Sequence, residues 1–98
     1  MTINQVKEEG RLELDLEGRL DTATAPELEA CLKENLDGVC ELVFDLKNLE
    51  YVSSAGLRVF LGAQKAMTSQ GSMKLCNVCD QIMEVFEITG FADILTIE

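Results

Sequence analysis

The hydrophobic positions follow a period of two near the start of the chain, which is typical of β-strands. In residues 11–17, leucines alternate with acidic residues, and this pattern predicts a strand with one face in the core and one in water. A less regular strand over 2–8 precedes it, and the Glu9-Gly10 pair between the two segments favours a tight turn. The two strands are therefore predicted to pair antiparallel.

Helical spacing replaces this alternation after the second strand. Thr24 is a candidate N-cap, Glu27 completes a capping-box pattern, and Pro26 sits in the first turn, where a missing N–H is tolerated. Apolar residues recur at helical spacing as far as Leu36, and Gly38 follows as a stop signal. The segment is predicted to be the first helix.

The rest of the chain alternates strands with helices. Residues 39–46 are almost continuously apolar, which is typical of a central strand covered on both faces. The elements predicted after it are a link over 47–52, a helix from Ser53-Ser54 to 69–71, a strand over 73–78, a helix over 80–89 and a short strand over 94–97. The order β-β-α-β-α-β-α-β predicts a single α/β domain over 1–98, with a mixed, mostly parallel sheet and an antiparallel N-terminal strand.

Composition and charge limit the function classes. The chain has 98 residues, 47% hydrophobic and 27% charged, which is enough for one small globular domain. Its 18 acidic and 8 basic residues give a net charge of −10, which repels phosphate backbones and anionic lipids, so nucleic acid is not an expected partner. No apolar run is long enough to cross a bilayer and no secretory signal is evident, so we expect no membrane insertion and a cytoplasmic location.

The chain has no histidine, which closes most hydrolase mechanisms and removes a common zinc ligand. We therefore predict no enzymatic activity, no metal site and no cofactor. The 4 cysteines are expected to be reduced and buried. Cys76 and Cys79 form a C-x-x-C pair and leave a thiol oxidoreductase as an alternative, although no second pair completes a zinc site.

Candidate functional residues lie in the loops over 18–23 and 47–56, which follow strands of the predicted sheet. If Ser53 is the N-cap of the second long helix, its hydroxyl is engaged with backbone N–H groups, and the hydroxyl of Ser54 points outward as a possible phosphate acceptor. The alternative is that both serines only start a helix. Asp45 and the acidic residues of 11–17 have the pattern of a solubilising surface.

Three residues of the following helical turn have two interpretations each. The small residues Ala55 and Gly56 permit close packing inside the fold and also permit a partner's backbone to approach, and the two interpretations are compatible. Arg58 is predicted to face outward, where it either meets an acidic partner residue or remains solvated.

The run from Tyr51 to Leu61, YVSSAGLRVFL, with Val43–Leu46 before it, resembles the signature segment of the STAS domain family, named for sulfate transporters and anti-sigma factor antagonists. Gly18–Asp21 with Thr24-Ala25, and Val85–Phe91, resemble two further family segments in the same order. The resemblance covers nearly the whole chain, and the length fits a stand-alone member.

The resemblance implies a bacterial anti-sigma factor antagonist. In this interpretation the unmodified protein binds an anti-sigma factor with serine kinase activity and frees the sigma factor, phosphorylation ends the binding, and a phosphoserine phosphatase is a second partner. Ser54 aligns with the phosphorylated serine of the family, and Ser53, where the family often has an acidic residue, is a secondary acceptor. The residues expected at the partner surface are Asp21, Thr22, Ser53, Ala55, Gly56 and Arg58. The alternative within the family is an accessory subunit that binds the ATPase component of a membrane transporter.

Overall fold

A β-hairpin begins the structure, a computed structural model that describes residues 1–98. Strands β1 (Thr2–Glu8) and β2 (Arg11–Leu20) pair antiparallel, as predicted, in a register that runs from Thr2↔Glu17 to Glu8↔Arg11. Gly10 in the turn has φ +74°, a left-handed conformation that glycine adopts without strain. The alternating leucines of β2 are fully buried, so the period of two identified the core face correctly.

The remaining elements are α1 (Ala25–Asn35), β3 (Glu41–Asp45), β4 (Leu49–Val52), α2 (Ser54–Thr68), β5 (Ser72–Cys76), α3 (Asp80–Thr89) and a short 3-10 helix (Phe91–Asp93). The sheet order is β1-β2-β3-β5, and β4 pairs with β2 outside this path. All pairs except β1·β2 are parallel. The fold class is therefore the predicted one, a single α/β domain with a mixed, mostly parallel sheet.

The long strand β2 pairs with two parallel strands, one after the other along its length. Its first half, Arg11–Asp15, pairs with β3, and its last residues, Gly18–Leu20, pair with β4. The register shifts between Gly18 and Arg19, where Gly18 has φ +98°. An irregularity of this kind bends a strand and increases its twist, which lets one strand change partners along its length.

The element order differs from the prediction in two places. The predicted link over 47–52 contains β4, and the predicted strand over 94–97 is reduced to a single parallel bridge between Ile97 and Leu75. Only four residues form β4, too few to show a reliable period of two. The chain before Ile97 turns as a 3-10 helix and buries Leu95, which leaves little length for a strand.

The three helices enclose the core against one face of the sheet. The core contains 23 buried residues. The ring of Phe60 in α2 packs edge-to-face on Phe44 of β3 and Phe86 of α3, with ring centres 5.1 Å and 6.1 Å apart. The other sheet face is polar: Arg11 Nε lies 2.6 Å from Glu41 Oε1, and the only buried apolar residue outside the core cluster is Val43. Leu42, Val43 and Phe44 are nevertheless all buried although neighbouring residues of a strand point to opposite faces, so the prediction of a central strand covered on both faces is confirmed. No helix is long and apolar enough to cross a bilayer.

Candidate phosphorylation and partner-binding site

Two polar loops meet at the end of the β2·β4 pair. Leu20 and Val52 are partners on these parallel strands, so the chain leaves both strands at the same edge of the sheet. The backbone N–H of Ser53 donates to the carbonyl of Leu20 over 2.9 Å and holds the second loop against the first. The structure thus brings together Asp21 and Thr22 after β2 and Ser53 and Ser54 after β4.

Ser53 is the N-cap of α2, as predicted. Its backbone is extended, with φ −96° and ψ 177°, and its Oγ accepts from the backbone N–H of Gly56 over 3.4 Å. Its carbonyl accepts the helical hydrogen bond from Leu57 N over 3.0 Å. The half-buried hydroxyl of Ser53 is therefore already engaged in starting the helix.

Ser54 occupies the first position of α2, and its side chain is exposed. It takes part in none of the side-chain hydrogen bonds of the structure, unlike its neighbour Ser53. The positive end of the helix dipole lies at this position and favours a negative group. The hydroxyl is thus accessible and uncommitted, which a modifying enzyme requires.

Asp21 orders the loop after β2. Its Oδ1 accepts from the backbone N–H groups of Ala23 over 3.0 Å and Thr24 over 3.1 Å, and its Oδ2 lies 3.8 Å from Arg19 Nε. The hydrogen bond from the Thr24 backbone N–H is the largest effect that lowers the pKa of Asp21, and bonds from the Thr24 side chain and Ala23 add to it. Asp21 is therefore a charged residue with a structural task, and Thr22 beside it is exposed.

The predicted capping box at the start of α1 does not form. Thr24 has φ −99° and ψ −22° and makes no side-chain cap bond to the helix. Its hydroxyl instead accepts from the backbone N–H of Asp21 and donates to the carbonyl of Arg19, both over 2.8 Å. The reason is that a capping hydroxyl requires an extended backbone, which Ser53 has and Thr24 lacks.

The structure favours the packing interpretation for Gly56. This residue is buried against the side chains of Leu20 and Val52, so the prediction that it contacts a partner is corrected. Ala55 is half-buried and lines a shallow depression of about 190 Å³ together with Thr22 and Arg58. Among the predicted residues Thr22, Ser54 and Arg58 are exposed, and Asp21, Ser53 and Ala55 are half-buried.

Arg58 projects from α2 one turn after Ser54 and is exposed, as predicted. It forms none of the ion pairs of the structure. Arg58 and Ser54 are four residues apart on α2, so they lie on the same side of the helix. An unpaired cation thus accompanies the exposed hydroxyl.

Sequence reasoning missed a second feature beside the loops. Arg19 and Tyr51 are partners in the β2·β4 register, and the Arg19 guanidinium lies 4.2 Å from the centre of the Tyr51 ring. Tyr51 is 40% exposed, so the pair adds an aromatic surface next to the site. Only the pairing of β4 with β2 makes this contact, and the signal in the sequence was too short to predict that strand.

The environment of Cys76 disfavours the thiol oxidoreductase alternative. Burial, followed by the charge of Asp45, raises the pKa of Cys76, whereas a reactive thiol requires a lowered one. Cys79 and Cys40 are exposed, so the expectation of buried thiols was wrong for these two. Asp45 has a structural role, since its Oδ1 accepts from Lys47 N and Asn77 Nδ2, each over 3.1 Å. No group of three or more metal-ligating side chains is present.

The fold and the paired loops are those of a known class: the chain belongs to the STAS domain family, whose model matches residues 2–98. Among curated relatives, BtrV of Bordetella bronchiseptica is 40% identical over 99% of this chain and 85% of its own length. The anti-sigma-B factor antagonist of Bacillus subtilis is 36% identical over 99% of this chain and 92% of its own length. The family resemblance noted in the sequence is thereby confirmed.

Solved structures show the same fold. The anti-sigma factor antagonist SpoIIAA in its unphosphorylated form matches with a TM-score of 0.78 over 99% of this chain and 87% of that one. The phosphorylated form of the Bacillus protein SpoIIAA matches with a TM-score of 0.77 over 99% and 91%. The sequence identity to both is 17%, so these matches establish the architecture.

Proposed function

We propose that this protein is an anti-sigma factor antagonist controlled by phosphorylation of Ser54. The unmodified protein binds an anti-sigma factor with serine kinase activity in the bacterial cytoplasm and frees the sigma factor. Phosphate on Ser54 ends this binding, a phosphoserine phosphatase restores it, and the protein has no catalytic activity of its own. Support for the class comes from the curated relative of Bacillus subtilis, which is named as an anti-sigma-B factor antagonist.

The observation that carries the proposal is the difference between the two serines. Ser53 has its hydroxyl bonded to the backbone of its own helix, while the hydroxyl of Ser54 is exposed and unbonded on the same turn. A kinase can reach Ser54 without breaking the helix start. Phosphorylation of Ser53 would remove the cap of α2, so Ser53 is the secondary acceptor.

The charge of the phosphate supplies the switch. A phosphoserine adds about −1.5 to −2 charges at neutral pH, and a helix N-terminus offsets this by only about 0.3–1 kcal/mol. The loop after β2 places the ionised Asp21 nearby, and Glu50 is exposed on β4. A partner surface that suits the neutral hydroxyl must then meet several negative charges, and like-charge juxtaposition costs several kcal/mol.

The switch requires no refolding, because Ser54 lies outside the core. In this proposal phosphorylation changes the surface charge of a domain that keeps its fold.

The test is incubation with purified anti-sigma factor kinases and ATP, followed by mass-spectrometric mapping of phosphate. Wild type and Ser53→Asn should be phosphorylated at Ser54, and Ser54→Ala should not be phosphorylated. Ser53→Asn is the matched control, because asparagine keeps the N-cap and has no hydroxyl. Phosphate elsewhere in wild type, or undiminished phosphate in Ser54→Ala, would contradict the proposal.

A further inference from the structure

An apolar groove separates α1 from α2. It has a volume of about 310 Å³, and its walls include Leu32 and Leu36 of α1 and Val59 and Ala63 of α2. The groove adjoins the shallow depression at Thr22 and Ala55, because Arg58 lines both. It therefore extends the predicted partner surface at Thr22, Ala55 and Arg58 along the two helices.

A glycine in the middle of α2 keeps one wall of this groove low. A Cβ on Gly62 would meet no atom within 4 Å, so no contact inside the fold requires glycine at this position. Glycine inside a helix is less stable than alanine. The space beside Gly62 is open to an incoming side chain.

The charged side chains at the rim of the groove indicate what kind of molecule binds there. Glu29 and Lys33 lie 3.8 Å apart as an ion pair on α1 and largely neutralise each other. Arg58 has no such partner, although the chain carries a net charge of −10. A carboxylate of another molecule can pair with this guanidinium. A second copy of this chain is a poor occupant, since it would bring ten further negative charges.

We propose that the α1/α2 groove receives an apolar segment of the anti-sigma factor that also carries a carboxylate. An aliphatic side chain of that segment packs over Gly62 between Leu36 and Ala66, which are the accessible apolar residues of the groove, and the carboxylate pairs with Arg58. The identity of the partner rests on the proposed function. A phosphate on Ser54, one helical turn before Arg58, competes with the partner's carboxylate for the same guanidinium, which links the groove to the switch.

Titration calorimetry with the anti-sigma factor kinase that phosphorylates Ser54 tests the groove. Gly62→Leu fills the groove and Arg58→Glu reverses its unpaired charge, and each should weaken binding about tenfold or more. Lys65→Leu and Lys65→Glu are matched controls, because Lys65 is exposed on the same helix and does not line the groove. Both controls should bind within about threefold of wild type. Circular dichroism and thermal unfolding establish that each variant is folded.

The outcomes separate this proposal from the proposed function. If Gly62→Leu and Arg58→Glu bind like wild type while Ser54→Asp does not, the groove proposal is overturned and the switch remains. If Ser54→Asp binds like wild type while the groove variants do not, the switch is wrong and the groove is supported. If no anti-sigma factor binds the wild-type chain, both proposals are wrong.

Two further measurements would detect a different occupant of the groove. A dimer in analytical ultracentrifugation that Gly62→Leu dissociates would identify a second copy and overturn the proposal. A small molecule retained by wild type in native mass spectrometry and absent from Gly62→Leu would overturn it as well.

Discussion

Gly56 lies so close to Leu20 that a side chain at position 56 would collide with it: a Cβ on Gly56 would be 2.6 Å from Leu20 Cγ and 2.9 Å from Val52 Cγ2. We predict that Gly56→Ala destabilises the protein by about 1–3 kcal/mol, because the fully buried Leu20 has little room to move. Urea unfolding of the two proteins measures the difference. A variant as stable as wild type would show that the first turn of α2 can shift away from the β2·β4 pair.

Gly62 provides the opposite case on the same helix. No atom would lie within 4 Å of its added Cβ, so we predict that Gly62→Ala stabilises the protein by about 0.5–1 kcal/mol. The gain arises because alanine loses less backbone entropy than glycine on folding. The same urea unfolding experiment should give shifts of opposite sign for the two glycine variants, and a destabilised Gly62→Ala would refute the open space seen beside α2.

Most of the fold was predictable because its elements are long enough to show a period. The hairpin, the three helices and the N-cap of α2 at Ser53 were all predicted from spacing and capping residues. Strand β4 was missed because Leu49–Val52 is too short to show alternation. Because β4 was not predicted, the Arg19–Tyr51 contact was not predicted either, since it depends on pairing between distant parts of the chain.

Some features of the candidate site could be predicted from local sequence, and others depend on how distant segments pack. The N-cap at Ser53 and the exposed position of Ser54 follow from local sequence and were predicted. The structural role of Asp21 and the burial of Gly56 depend on how β2 and β4 bring their loops together. The groove depends on how α1 packs beside α2, which no local pattern describes.

Asp21 should affect stability in a pH-dependent way. Its pKa is lowered from 3.8 in the folded protein, chiefly by the hydrogen bond from Thr24 N. The charged form is thus favoured by folding, so its contribution is present above pH 3.8 and is lost as the pH falls through the lower folded-state pKa. NMR titration should find the Asp21 carboxyl below 3.8, and the stability difference between wild type and Asp21→Asn should shrink in the same range. An Asp21 pKa at or above 3.8 would contradict the observed hydrogen bonds.

The cysteines should differ in their rates of alkylation. Burial raises the pKa of Cys31 and Cys76, so at neutral pH each holds less of the reactive thiolate, while Cys40 and Cys79 are exposed. We predict that iodoacetamide modifies Cys40 and Cys79 before Cys31 and Cys76, as followed by peptide mass spectrometry. Fastest modification at Cys76 would revive a thiol oxidoreductase built on the C-x-x-C pair.

Charge at position 54 should decide whether the anti-sigma factor binds. We predict that Ser54→Ala binds like wild type and cannot be switched off by ATP, and that Ser54→Asp binds about tenfold or more weakly, since a negative group there adds to those of Asp21 and Glu50. Ser54→Asn is the matched control, because it has nearly the size of aspartate without the charge, and it should bind close to wild type. Calorimetric titration with and without ATP measures all four proteins. Loss of binding in both Ser54→Asn and Ser54→Asp would mean that the partner rejects a larger side chain. Equal binding by all four proteins would mean that the surface is used constitutively, as in an accessory subunit of a transporter.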